Sequence, residues 1–231
     1  MTRIGLKTTL ACSVLLTMSS ALRAAAPAAE RMPVWPGTFV SRVEVLALLE
    51  TFDAELLSHD SATLTLEHWC DVHRLASPPR VVAERVSLDK PLPPDQRAVL
   101  GIAASETVRY RRVRLICGSV VLSEADNWYV PARLTPEMNE RLDTTEVPFG
   151  KVVQGLHFQR RTLSSKLLWR PLPDGWEMMP GAAGGGGTGT LAPPQALLEH
   201  RAVLTLPDGT PFSEVVETYT SGILAFAPPR R

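Results

Sequence analysis

The sequence predicts an α+β protein in which helices flank an antiparallel β-sheet built from two pseudo-symmetric hairpin units. Three observations carry this. An apolar stripe at helical spacing opens the globular part. Two stretches, "VRYRRVRLICGSVVLSEADNWYV" and "HRAVLTLPDGTPFSEVVETYT", each read as two strands around a glycine turn. These stretches also echo one another. Arg112, Leu115, Gly118, Ser123, Glu124 and Tyr129 recur in order as Arg201, Leu204, Gly209, Ser213, Glu214 and Tyr219.

The chain has 231 residues, with 24 basic and 24 acidic side chains. That length suits one medium domain with a real core. No basic stripe marks a nucleic-acid surface, so no nucleic-acid partner is expected. Residues 1–28 carry Arg3 and Lys7, then an apolar run from Thr8 to Leu22, then an alanine-rich end with "APA" at Ala26–Ala28. This order is that of a secretory signal peptide. The run is short for a span, which needs about 20 apolar residues. A periplasmic or secreted protein is expected, with no stable membrane insertion after cleavage. Cys12 precedes most of the apolar run, which argues against a lipoprotein. Losing residues 1–28 removes Arg3, Lys7 and Arg23 but no acid, leaving a net charge of −3.

Residues 29–39 read as an extended lead-in, 40–225 as the domain and 226–231 as a C-terminal tail. Ser41 followed by Glu44 predicts a capping box, opening a helix to about Leu57 with Val45, Leu48, Leu49, Phe52 and Leu56 on one stripe. "ATLTLEHWCDVH", from Ala62, alternates in character and predicts a strand. A short helix is expected from about Asp95. "GAAGGGGTGT", 181–190, has high chain entropy and reads as a flexible insertion; a lid role stays open. It lacks the Gly-Lys-Ser/Thr ending of a phosphate loop.

His68, Cys70 and His73 are the nearest candidate metal ligands. On a strand His73 points away from the other two, so no metal site is expected. Cys70 and Cys117 are the cysteines left after signal removal. An exported protein can pair them, but two cysteines do not define a framework.

The order of helix, strand, "R-x4-C-G-x12-P", "PFG" and a final "E-x-Y" strand resembles the chorismate pyruvate-lyase family. It also resembles the related UTRA ligand-binding domain of bacterial regulators. The likeness spans about residues 40–225 and is clearest at 108–155 and 200–222. It implies a chorismate lyase-like fold and a reaction without cofactor or metal, in which pyruvate leaves chorismate to give 4-hydroxybenzoate. The regulators carry a DNA-binding domain ahead of this fold; nothing similar is expected here. By resemblance, Arg112 grips a carboxylate and Glu217 moves a proton, chemistry that suits a guanidinium and a carboxyl group. Phe149 and Gly150 fall at the pocket edge. Asn127 stands in the first unit where Glu217 stands in the second, and completes the expected substrate-binding set.

Arg112 and Glu217 could equally form an ion pair across the sheet. Three readings follow: a lyase, an exported binding protein for a small aromatic carboxylate, and a structural protein with an empty pocket. The lyase works on a cytoplasmic metabolite, whereas this chain carries an export signal.

Overall fold

The computed structural model describes residues 33–180 and 189–229, together with Met1 and Gly187. The expected signal peptide, and most of the glycine-rich insertion, lie outside the described residues. Residues 32–231 form one contact unit, and everything below concerns it.

Helix α1 (Phe39–Ser58) is followed by α2 (Ala62–Val72), β1 (Val81–Val86) and α3 (Pro94–Val99). The hairpin of β2 (Arg109–Cys117) and β3 (Val120–Tyr129) comes next, then α4 (Pro136–Thr144), α5 (Phe149–Val152) and β4 (Gln159–Leu167). The second hairpin, β5 (Ala196–Thr205) and β6 (Pro211–Thr220), closes the sheet. The expected α+β class with an antiparallel sheet is what the chain forms. All six strands pair antiparallel in the order β1-β2-β3-β6-β5-β4.

Helix α1 begins earlier than its expected cap. Thr38, not Ser41, caps it, accepting a hydrogen bond from the Ser41 N–H at 3.2 Å. Val45, Leu49, Phe52 and Leu56 lie fully buried along one stripe. Each contributes about 1.5–3 kcal/mol by leaving water.

The expected strand from Ala62 is instead α2. Ser61 caps it, and Ala62, Leu66, Trp69 and Cys70 are buried at helical spacing. Thr63 and Thr65 supplied the alternation that reads as a strand; both are buried on the helix. The Trp69 indole N–H donates to the Ile223 carbonyl at 2.9 Å, tying α2 to the end of β6. Both helices lie on one face of the sheet, their stripes meeting Val113, Leu115, Ala125, Ala202, Val215 and Tyr219. Cys70 and Cys117 form a disulfide between α2 and β2, with Cα atoms 6.4 Å apart. Closing a loop of 47 residues is worth about 4 kcal/mol in the chain-entropy account.

The two hairpins are related by an approximate two-fold axis. Ser123↔Tyr219 and Ser213↔Tyr129 are the two ends of the β3–β6 ladder, so rotation about its middle exchanges the units. The same rotation exchanges β2 with β5 and β1 with β4 in the sheet order. The turns differ by one residue, and each has its glycine at positive φ: Gly118 at 59° and Gly209 at 85°. At Gly118 a Cβ would also stand 2.8 Å from the Ala76 side chain.

The described end of the glycine-rich stretch is tied down. Gly37 N–H donates to the Gly189 carbonyl at 2.7 Å, and Leu191 N–H to the Trp35 carbonyl at 2.8 Å.

Candidate functional site

Alternation along β2 turns Arg111, Val113, Leu115 and Cys117 toward the helices, and Tyr110, Arg112 and Arg114 away. Between the inward face, the start of α2 and the start of α5 lies a cavity of about 50 Å³. Its sheet wall includes Arg111, Asn127 and Glu217; Asp60–Thr63 and Phe149–Gly150 roof it.

Glu217 anchors one side. Its Oε2 accepts from Arg160 Nη2 at 2.7 Å and from the Tyr219 hydroxyl at 2.9 Å. The Arg160 and Glu217 side chains are only 4% and 7% exposed. Burial works against the Arg160 charge, but the charge and hydrogen bond of Glu217, with Tyr219 and Asp60, together outweigh it and hold the guanidinium above its usual pKa. Burial, then the charge of Glu217, pushes the Tyr219 phenol well up. The Arg160 backbone N–H donates to Asp60 Oδ1 at 2.8 Å, latching the roof to β4.

Arg111 stands on the other side without a carboxylate. It is 8% exposed, and its Nε and Nη2 have no hydrogen-bond partner. Burial and the nearby Arg85 charge lower its pKa to about 10. Nε of Arg160 is also buried without a partner. Asn127 lies between. The fully buried Ser213 hydroxyl donates to its Oδ1 at 2.6 Å, which leaves the amide N–H groups to the cavity.

Phe149 and Gly150 stand at the edge of this cavity, as expected, but not in a loop. They begin helix α5 instead, after Pro148 at the N-cap. Gly150 sits where α5 packs closely on α2: a Cβ there would lie 3.1 Å from Ser61 Oγ and 3.2 Å from Thr63 Oγ1. Phe149 stacks toward Phe212, with ring centroids 6.3 Å apart, and meets the Tyr129 ring at a tilt, 5.5 Å away.

Arg112 does not share this cavity, which corrects the expectation that it faces Glu217. It lies on the opposite face, bonded to Glu124 at 2.6 Å and Asp126 at 2.8 Å. Arg201, its counterpart across the pseudo-two-fold, bonds Glu214 at 2.5 Å. The repeated arginine and glutamate are thus one outer-face ion pair made twice. The open alternative of an Arg112–Glu217 pair is also excluded, because Glu217 pairs with Arg160.

Asp126 accepts from Lys90, Tyr110 and Arg112. Burial raises its pKa, but these three donors prevail and hold the carboxyl below the usual 3.8. A carboxyl with a lowered folded-state pKa stabilises above its unfolded pKa and loses that contribution as pH falls through the folded value. Asp126→Asn is expected to cost about 2–3 kcal/mol at neutral pH. It should also flatten the loss of stability below about pH 4. Urea denaturation across pH checks both; an unchanged acid limb would remove Asp126 from this role.

The expected metal candidates are dispersed. Cys70 is in the disulfide, and His73 donates from Nδ1 to the Trp69 carbonyl at 3.0 Å and stacks on Phe226. Among the described residues no helix is long and apolar enough to cross a membrane.

Fold and site define an α+β protein with a small buried cavity and an unneutralised arginine in its wall. The chain is 55% identical over 200 residues to the uncharacterized protein y4mC of Sinorhizobium fredii, covering 84% of this chain and 83% of that one. It belongs to the same family as y4mC. No family model matches. Among solved structures it is similar to PhnF from Mycobacterium smegmatis, at 15% identity and a TM-score of 0.44, over 75% of this chain and 70% of that chain. The ligand-binding domain of a putative GntR-family regulator from Bordetella bronchiseptica is also similar, at 15% identity and a TM-score of 0.39, over 61% and 82%.

Proposed function

We propose that the cavity binds a small organic carboxylate, with Arg111 as its counter-charge. The observation that carries this is a buried guanidinium whose Nε and Nη2 donors have no partner, and which has no carboxylate within ion-pair distance, among the described residues. An unpaired buried charge is costly, and a carboxylate answers it through two parallel hydrogen bonds. Asn127 and the free Nε of Arg160 add donors to the same space. Glu217 adds an acceptor, through the oxygen not held by Arg160 and Tyr219. Phe149 supplies an aromatic edge for a ring. The cavity, at about 50 Å³, holds only a few waters at about 10–15 Å³ each, so a ring enters when lining side chains swing aside.

A lyase acting on chorismate is the second reading, favoured by a buried carboxylate, Glu217, on the same wall as Arg111. Arg111 then takes the place expected of Arg112, and proton transfer runs through Glu217 Oε1. The Cys70–Cys117 disulfide and the N-terminal sequence support an exported protein. Chorismate is made and used inside the cell, so export sets binding ahead of turnover.

The test is thermal melting with 4-hydroxybenzoate and with 4-hydroxybenzamide. A ligand that binds the folded state raises Tm. A rise with the acid and none with the amide is expected. No rise across a panel of aromatic and aliphatic acids would remove the binding reading. Pyruvate released from chorismate above a buffer control would establish the lyase; none from folded protein would exclude it.

A further inference from the structure

Among the described residues, Arg111 is the one side chain that lines both the buried cavity and a much larger open groove. The groove measures about 910 Å³ and runs along the β1 edge of the sheet to the end of α4. Four arginines line it, Arg85, Arg109, Arg111 and Arg112, against two acids, Asp89 and Asp143. Arg109 is paired with Asp143 at 2.8 Å, and Arg112 with Glu124 and Asp126. Arg85 donates to the backbone carbonyls of Leu142 and Asp143 rather than to a carboxylate. Asp89 lines the groove too, but forms no ion pair with Arg85 or Arg111. Among the described residues, the Arg85 and Arg111 guanidinium groups form no ion pair, and Asp143 acts on Arg111 only from beyond ion-pair distance.

The opposite side of the cavity is narrow. There the roof seam is tight enough that a single methyl at Gly150 would press on both Ser61 and Thr63, and Asp60 is held by the Arg160 N–H. Passage through the seam breaks that latch and separates two helix starts. Passage past Arg111 leaves that latch in place and asks the Arg111 side chain, which borders both spaces, to change rotamer.

We propose that the groove is an outer binding site for organic carboxylates, from which the anion is handed past Arg111 into the cavity. Arg85 holds and steers the anion in the open groove. Arg111 then carries it inward, its Nε and Nη2 donors bonding the carboxylate on the cavity side. This rests on the carboxylate reading above.

The test is stopped-flow association of 4-hydroxybenzoate with the unmodified protein and with three variants. Arg85→Gln keeps a donor for the α4 carbonyls but loses the charge; Arg85→Lys keeps the charge. Arg170→Gln removes an equal charge from a surface remote from the groove, where Arg170 reaches Glu50 and Asp174. At low ionic strength Arg85→Gln is expected to slow association about tenfold and to flatten its dependence on salt. Arg85→Lys should retain the rate, and Arg170→Gln should leave it unchanged. Equal rates for Arg85→Gln and Arg170→Gln, with binding still observed, would overturn the outer site and leave the carboxylate reading intact. Failure of the unmodified protein to bind any acid would overturn both.

Discussion

Replacing Arg111 with methionine is expected to make the free protein more stable and to make it blind to carboxylates. The methionine fills most of the arginine's volume and removes a charge that is 8% exposed and has no acid partner. Exchanging buried charged groups for apolar residues of similar volume has stabilised other proteins by about 1–4 kcal/mol. Here about 1–2 kcal/mol is expected, a rise of about 3–6 °C in Tm for a domain of this size. The ligand loses two charge-assisted hydrogen bonds, so affinity for 4-hydroxybenzoate should fall about 100-fold. Calorimetry measures both. Arg112→Met supplies the contrast: it strips a counter-ion from Glu124 and Asp126, so it should lower stability and leave affinity alone. A less stable Arg111→Met protein that still binds acids normally would reassign Arg111 to a structural role.

The second large effect concerns the pair behind the cavity. Arg160→Met leaves Glu217 buried with one remaining donor, the Tyr219 hydroxyl. Breaking a buried pair from one side costs about 3–5 kcal/mol. The expected fall in Tm is roughly 10 °C. Arg160→Met combined with Glu217→Leu removes both charges and should recover most of the loss. The double-mutant cycle isolates the coupling, because the two residues touch. A double variant no more stable than Arg160→Met alone would show that packing around Arg160, rather than charge, holds this wall together.

Much of this architecture is legible in the residues, and the misses have physical causes. The stripe from Val45 to Leu56 and the two glycine-centred hairpins are local patterns, and they form as read. The repeat is also legible, down to the equivalence of Arg112 with Arg201. Glu217, Asn127, Phe149 and Gly150 do line one cavity. Arg112 fails by one position, and strand alternation reverses its face. The cue was available: Val113, Leu115 and Cys117 are apolar and share the parity of Arg111, not of Arg112. Helix α2 was obscured because Thr63 and Thr65, both β-branched, alternate with apolar neighbours. The cap at Ser61 and the spacing of Leu66, Trp69 and Cys70 favour the helix once tertiary burial is included. Arg160 could not be found locally. Its approach to Glu217 depends on how β4 aligns with β5, and that ladder shifts register between Thr162 and Ser164. Ser213 was visible only as part of the repeat, and its hold on Asn127 follows from the pairing of β3 with β6.

The approximate two-fold relates Asn127 to Glu217, yet these equivalent places carry opposite hydrogen-bonding character. The amide offers hydrogens, and the carboxylate only lone pairs. On the ladder partners of these residues, Arg111 faces His200 across the same axis. A symmetric frame therefore encloses a polarised slot. A guest with an acid at one end and a hydroxyl at the other meets a donor-rich pole and an acceptor-bearing pole. Turned end for end, it would set its acid against the Glu217 carboxylate, with only the Arg160 Nε as donor there, and leave Arg111 unanswered. On the carboxylate reading, 4-hydroxybenzoate is expected to lie in one orientation, with its acid at Arg111.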